Sequence, residues 1–76
     1  MKLTSTFRQT DSLQRTTKVL DENCTIAQAF TMIESWCNDN NANVPRPVDV
    51  WKADSQIVIK IVTRDHKYIN IFTISD

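Results

Sequence analysis

The sequence predicts an α+β fold, a two-layer sandwich in the order ββαβββ, with one helix packed on one face of an antiparallel sheet of about five strands. Three observations predict it. Residues 25–37 repeat apolar side chains at helical spacing, whereas 2–20 and 48–74 alternate with the period of two that belongs to strands. Seventy-six residues make a single domain. A chain of that size buries only about 60–65% of its unfolded surface, so helix and strands must cover one another.

The helix carries the clearest signal. Ile26, Ala29, Phe30, Ile33, Trp36 and Cys37 share one face, and Gln28, Thr31, Glu34 and Ser35 lie on the other. Thr25 followed by Gln28 is a capping box, which satisfies backbone N–H groups that the first helical turn leaves unpaired. Asp21 and Glu22 precede it, where negative charge complements the helix dipole. Glycine is absent from the chain. Left-handed cap and turn positions therefore fall to Asn and Asp, the next most tolerant residues. The run Asn38-Asp39-Asn40-Asn41 directly after the helix fits that role.

Residues 2–20 read as a polar, Thr-rich hairpin. With Thr10-Asp11-Ser12 as its loop, Leu3 faces Val19, Phe7 faces Arg15 and Gln9 faces Leu13, which gathers Leu3, Phe7, Leu13 and Val19 on one side. The other side carries Lys2, Thr4, Thr6, Arg8, Gln14, Thr16 and Lys18. A helical 12–20 is the alternative. After the helix, Pro45 and Pro47 forbid further helix and favour a stiff, extended connector.

Residues 48–74 read as a three-stranded antiparallel meander. A two-residue turn at Asp54-Ser55 pairs Val48 with Ile61, Asp49 with Lys60, Val50 with Ile59 and Trp51 with Val58. A turn around Asp65 then sets Ile61 against Ile69 and Ile59 against Ile71. Val48, Val50, Ile57, Ile59, Ile61, Ile69 and Ile71 become the floor under the helix. A slip of one residue would place Tyr68, Phe72 and Ile74 there instead.

Composition excludes several functions. Phosphate-cradling loops need glycines for close backbone approach, and there are none. No apolar run is long enough to span a membrane and no signal peptide is present, so a cytoplasmic, membrane-free protein is expected. Cys24 and Cys37 flank the helix about 18–20 Å apart, too far for a bridge that needs Cα atoms within about 7 Å. With His66 they are too scattered for a closed zinc site, and no metal or cofactor is expected. Cys37 falls on the apolar edge of the helix and suits a core, while Cys24 is the better placed thiol for reaction. The acids look electrostatic rather than catalytic: Asp21 and Glu22 at the helix start, Asp49 opposite Lys60. A non-enzymatic protein is expected.

Two surfaces remain. Residues 1–20 carry Lys2, Arg8, Arg15 and Lys18 against Asp11, a net +3 in a chain of zero net charge. A basic hairpin face of that kind suits a weak nucleic-acid-binding or transcription-regulatory protein, although no aromatic residue interleaves it for base stacking. The second surface is the sheet face that the helix leaves bare, with Trp51, Val58, Tyr68 and Phe72 as expected protein contacts, unless the N-terminal hairpin folds over them as core. The last strand, YINIFTI, is uncharged and strongly β-prone, a hazard as a free edge. The function expected first is a small protein–protein interaction module, a homodimer or bound to a heterologous protein. Its size and economy match inhibitors or regulators of the kind phages and mobile elements carry, which work by occupying a surface.

Overall fold

In the computed structural model, which describes residues 1–76, the elements are β1 (Lys2–Gln9), β2 (Thr16–Asp21), α1 (Ile26–Asp39), β3 (Val50–Ala53), β4 (Gln56–Val62) and β5 (Tyr68–Ser75). All strand pairs are antiparallel and form one sheet in the order β2-β1-β5-β4-β3. The chain is thus the two-layer α+β sandwich in ββαβββ order that its periodicities predict. The helix connects the two edge strands, crossing one face from β2 to β3. No helix is long and apolar enough to cross a membrane.

The helix forms where its local chemistry says it should. Thr25 Oγ1 accepts from the Gln28 N–H at 3.1 Å while Gln28 Oε1 accepts from the Thr25 N–H at 2.9 Å, so both halves of the capping box are made. The helix runs two residues beyond the predicted 25–37, to Asp39, and the Asn run ends it: Asn40 caps, and Asn41 takes a left-handed φ of 55°. The other two left-handed residues are Asp54, in the β3–β4 turn, and His66, in the β4–β5 turn. Ala29, Ile33 and Cys37 press onto Leu3, Ile59, Phe72 and Ile74, all inaccessible to solvent. Trp36 stands edge-on to Phe72 at 5.6 Å and to Phe7 at 6.2 Å, and Phe7 stacks on Tyr68 at 5.3 Å.

Two registers and the start of one strand differ from expectation, each for a local reason. In the last hairpin Ile59 pairs with Phe72, Ile61 with Asn70 and Ile57 with Ile74, one residue from the expected pairing. The turn sets this. Thr63 N–H donates to the Tyr68 carbonyl, and Asp65 Oδ1 accepts from the Thr63 hydroxyl at 2.7 Å and the Lys67 N–H at 3.0 Å. A four-residue turn closed that way sends Phe72 and Ile74 to the helix and turns Ile69 and Ile71 away from it. In addition, β5 is the central strand, flanked by β1 and β4, so its apolar sequence has no free edge.

At the N-terminus Thr4 pairs with Val19, Ser5 with Lys18 and Phe7 with Thr16, again displaced by one, with an irregularity between Leu3 and Thr4. The loop covers 10–15 rather than three residues, and Arg8 holds it by donating from Nη1 to the carbonyls of Gln9, Thr10 and Ser12. Leu13 therefore sits in the loop, 94% exposed. Val19 moves to the bare face, and Thr16 and Lys18 to the helix side. The edge strand β2 is exposed along nearly its whole length, so no buried face enforces its alternation.

The β3–β4 register is the expected one, but β3 begins only at Val50. Before it, Pro47–Asp49 form a 3-10 turn in which the Asp49 carboxylate accepts from the Arg46 N–H and Nε. Asp49 therefore pairs with Arg46 instead of Lys60, and Val48, 78% exposed, leaves the floor.

Candidate binding face and groove

The pairings lay out the helix-free face row by row, because directly opposed residues point to the same side of a sheet. One row reads Val19–Thr4–Thr73–Val58–Trp51, the next Thr17–Thr6–Ile71–Lys60, and the third Arg8–Ile69–Val62, with Lys2 beside Ser75 at one end. Its centre is β-branched throughout, and the Thr6 and Thr17 hydroxyls share a hydrogen bond of 3.1 Å. Its charges are Lys2, Arg8 and Lys60, and no row contains a carboxylate. Trp51 is 45% exposed and Val19 44%, while Val58, Val62 and Ile71 are half-buried.

Of the predicted protein contacts, Trp51 and Val58 lie side by side on this face. Tyr68 and Phe72 do not. Phe72 is wholly buried under the helix and Tyr68 stacks on Phe7, because the one-residue register moves both to the covered side. The predicted basic set is divided as well: Lys2 and Arg8 are on the helix-free face, Lys18 is on the helix side of β2, and Arg15 is in the 10–15 loop.

The structure adds a feature that no stretch of sequence displays. Because β3 starts late, the last residues of β4 have no strand on their outer side, and the 43–49 connector stands off from them. A groove of about 520 Å³ opens there, lined by Trp51 and Val48 and by Arg46, Lys60, Arg64 and His66. Arg64 is held from behind: Nε donates to Asn43 Oδ1 at 3.0 Å and Nη1 to Asn41 Oδ1 at 3.2 Å. Its backbone N–H also donates to the Asn41 carbonyl, and Ala42 bridges to Thr63, so connector and strand are fixed together. The one acid of the groove, Asp49, is bound to Arg46 at 3.2 Å in the only ion pair of the protein, which lowers its pKa chiefly through hydrogen bonds from Arg46. Lys60 and Arg64 keep their charge unopposed.

The cations are confined to the sheet and its connections. From Val19 to Pro45, which includes the entire helix, the chain has four acids and no Lys or Arg. All the basic residues are on strands, their turns, the hairpin loop or the connector. Sequence distance hides this, since Arg46, Lys60 and Arg64 become neighbours only when the connector folds against β4. The readable hint was the Asn-rich run leading into Pro45 and Pro47, a path that had to return to the sheet.

The thiols are withdrawn from this surface. Cys24 and Cys37 are both free and buried, and burial, then the Glu34 carboxylate, push the Cys37 thiol above its ordinary value of 9.0. Cys24, expected to be the more reactive, is 4% exposed and pinned to Met1 by two backbone hydrogen bonds of 2.8 Å. A second groove, about 360 Å³, runs between Trp36 and the β2 residues Lys18 and Leu20, with Ser5 and Asn70 on its floor. There the Ser5 hydroxyl donates to Asn70 Oδ1 at 2.8 Å, and Asn70 Nδ2 is buried without a partner. No known protein family, curated protein or solved structure gives a match to this chain.

Proposed function

We propose that this chain is a non-enzymatic binding module that inhibits or regulates another macromolecule by occupying its surface. The contact is made by the helix-free sheet face and the adjoining groove, and the surface contacted is negatively charged. The carrying observation is that this side of the molecule holds Lys2 and Arg8 on β1 and Lys60 and Arg64 beside Trp51, with only Asp49, already paired, among them. A cationic rim with an exposed aromatic anchor suits steered docking onto an anionic partner. The same pattern speaks against a homodimer through this face. A two-fold contact would set a face whose charges are all cationic against an identical one, with no carboxylate to offset them. Of the two expected partners, a second copy or a heterologous protein, this pattern favours the heterologous one. Catalysis has little to work with here, since both thiols are buried and Asp49 and Asp65 accept hydrogen bonds that fix their own turns.

The test pairs solution mass with retention on a heparin matrix, a generic polyanion. A single-chain mass across a dilution series is expected. So is retention at low salt, despite zero net charge, that Lys60→Glu abolishes and Lys18→Glu, on the other side of the sheet, preserves. Passage of the native chain through the matrix unretained would remove the proposal, and so would equal loss in both variants.

A further inference from the structure

We infer that the groove between the 43–49 connector and β4 binds single-stranded nucleic acid, with one base stacked on Trp51 and the adjoining phosphates on Lys60 and Arg64. The inference rests on the polyanion-binding reading above and names the polyanion. Any anionic partner would use the cations. The exposed indole favours a nucleotide, which presents a flat π-face beside its phosphate. Lys60 follows Val58, the partner of Trp51, by two residues on the same strand, so the two side chains leave one face one row apart, their backbone positions about 7 Å apart along the strand.

Arg64 adds preorganisation. Asn43 and Asn41 accept from its Nε and Nη1 respectively, so the guanidinium is already oriented and Nη2 is left for an incoming oxygen. Arg46, half-neutralised by Asp49, closes the groove on the connector side. A volume of about 520 Å³ admits a nucleotide-sized unit. The bases of a duplex are stacked on one another and offer no free face, so the strand must be single. Beyond the groove, the hydroxyls of Thr73, Thr4 and Thr6 and the charge of Arg8 lie in its path across the sheet. Phe7, the one aromatic of the β1–β2 hairpin, faces the helix side, and Trp51 of β3 provides an aromatic on this face from the opposite edge.

The experiment is fluorescence anisotropy with labelled oligo-dT of about 12 nucleotides, within the range one small fold covers. The two phosphate contacts to a single strand give a log–log salt slope of about −1.4, so a fourfold rise in salt should weaken binding about sevenfold. Trp51→Ala should cost about tenfold with the slope unchanged, and Trp51→Phe should recover part of it. Lys60→Ala should flatten the slope by about 0.7, and Lys18→Ala should do nothing. Amide spectra confirm that each variant is folded. Binding that is salt-dependent but indifferent to Trp51→Ala, or as tight for a duplex of the same length, overturns the inference. If oligo-dT fails while a polyglutamate peptide shifts the amide resonances of the helix-free face, the partner is an acidic protein and only the inference falls. If neither probe shifts them, the polyanion reading falls with it.

Discussion

The two faces of the sheet are built from the same strands and could hardly differ more. Under the helix, Leu3, Ile59, Phe72 and Ile74 meet Ala29, Ile33 and Cys37 with no solvent between them. On the other side, β-branched residues and threonines stand half-exposed among cations, and the largest side chain, Trp51, leans out at an edge strand. Alternation alone produces this division, since neighbouring residues of a strand point to opposite faces. The difference teaches that apolar sequence is not a measure of core. In β5, Phe72 is core and Ile71 beside it is surface, although both read as strongly apolar.

The sharpest way to break this comparison is to truncate one large side chain on each face. Phe72→Ala should cost about 3–5 kcal/mol, a large share of the stability of so small a domain, and urea or thermal unfolding would show it. Trp51→Ser should change stability by less than about 1 kcal/mol. Equal losses would mean that the helix-free face is core after all.

The next effect tests the one polar blemish under the helix. Ser5→Ala leaves the buried Asn70 amide with no partner on either side and should cost about 1–3 kcal/mol. Adding Asn70→Leu to that variant removes the stranded amide and should recover most of the loss. A double variant no more stable than Ser5→Ala would show that the amide is satisfied in a way the pair does not explain.

Smaller again is the strain in the turn that fixes which residues of β5 face the helix. His66 adopts a φ of 60°, a conformation that disfavours a residue with a Cβ. His66→Gly should stabilise by about 0.5–1 kcal/mol, read as a shift in urea midpoint with no change in slope. Asp65 supports the same turn, and its pKa is lowered chiefly by the Lys67 N–H and then by the Thr63 hydroxyl. Its contribution is present above the ordinary value of 3.8 and is lost as pH falls through the lower folded value.

The smallest effect belongs to the alkaline limb. The Cys37 thiol stays neutral in the fold while the unfolded chain ionises near the ordinary value, so stability should decline as pH rises above 9.0. Cys37→Ala, itself less stable from its cavity, should lose that decline. Both thiols should also react with Ellman's reagent at the rate of unfolding. Fast modification of either at neutral pH would contradict their burial.

Much of the fold was legible because its causes are local. The capping box at Thr25 and Gln28, the helical stripe from Ile26 to Cys37 and the Asp54-Ser55 turn each depend on residues a few positions apart. With glycine excluded, Asn41 and Asp54 were natural occupants of left-handed positions. The candidate site was legible only in fragments: Trp51 and Val58 on one strand pair, Lys2 and Arg8 on another.

The sequence by itself determined the helix, its caps, the strand periodicities and the β3–β4 register, because hydrogen bonds and sterics within a few residues decide those. Only the tertiary structure decided which face of β5 is buried, how β2 pairs and where the cations gather. For β5 both alternating sets, Tyr68–Phe72–Ile74 and Ile69–Ile71, are apolar enough to face a core, so hydrophobicity could not choose between registers one residue apart. The Thr63–Asp65–Lys67 turn chose. The groove, likewise, exists because Asp49 and Arg46 tie off a 3-10 turn where a strand was expected, which leaves the end of β4 open and sets Lys60, Arg64 and Trp51 around the gap.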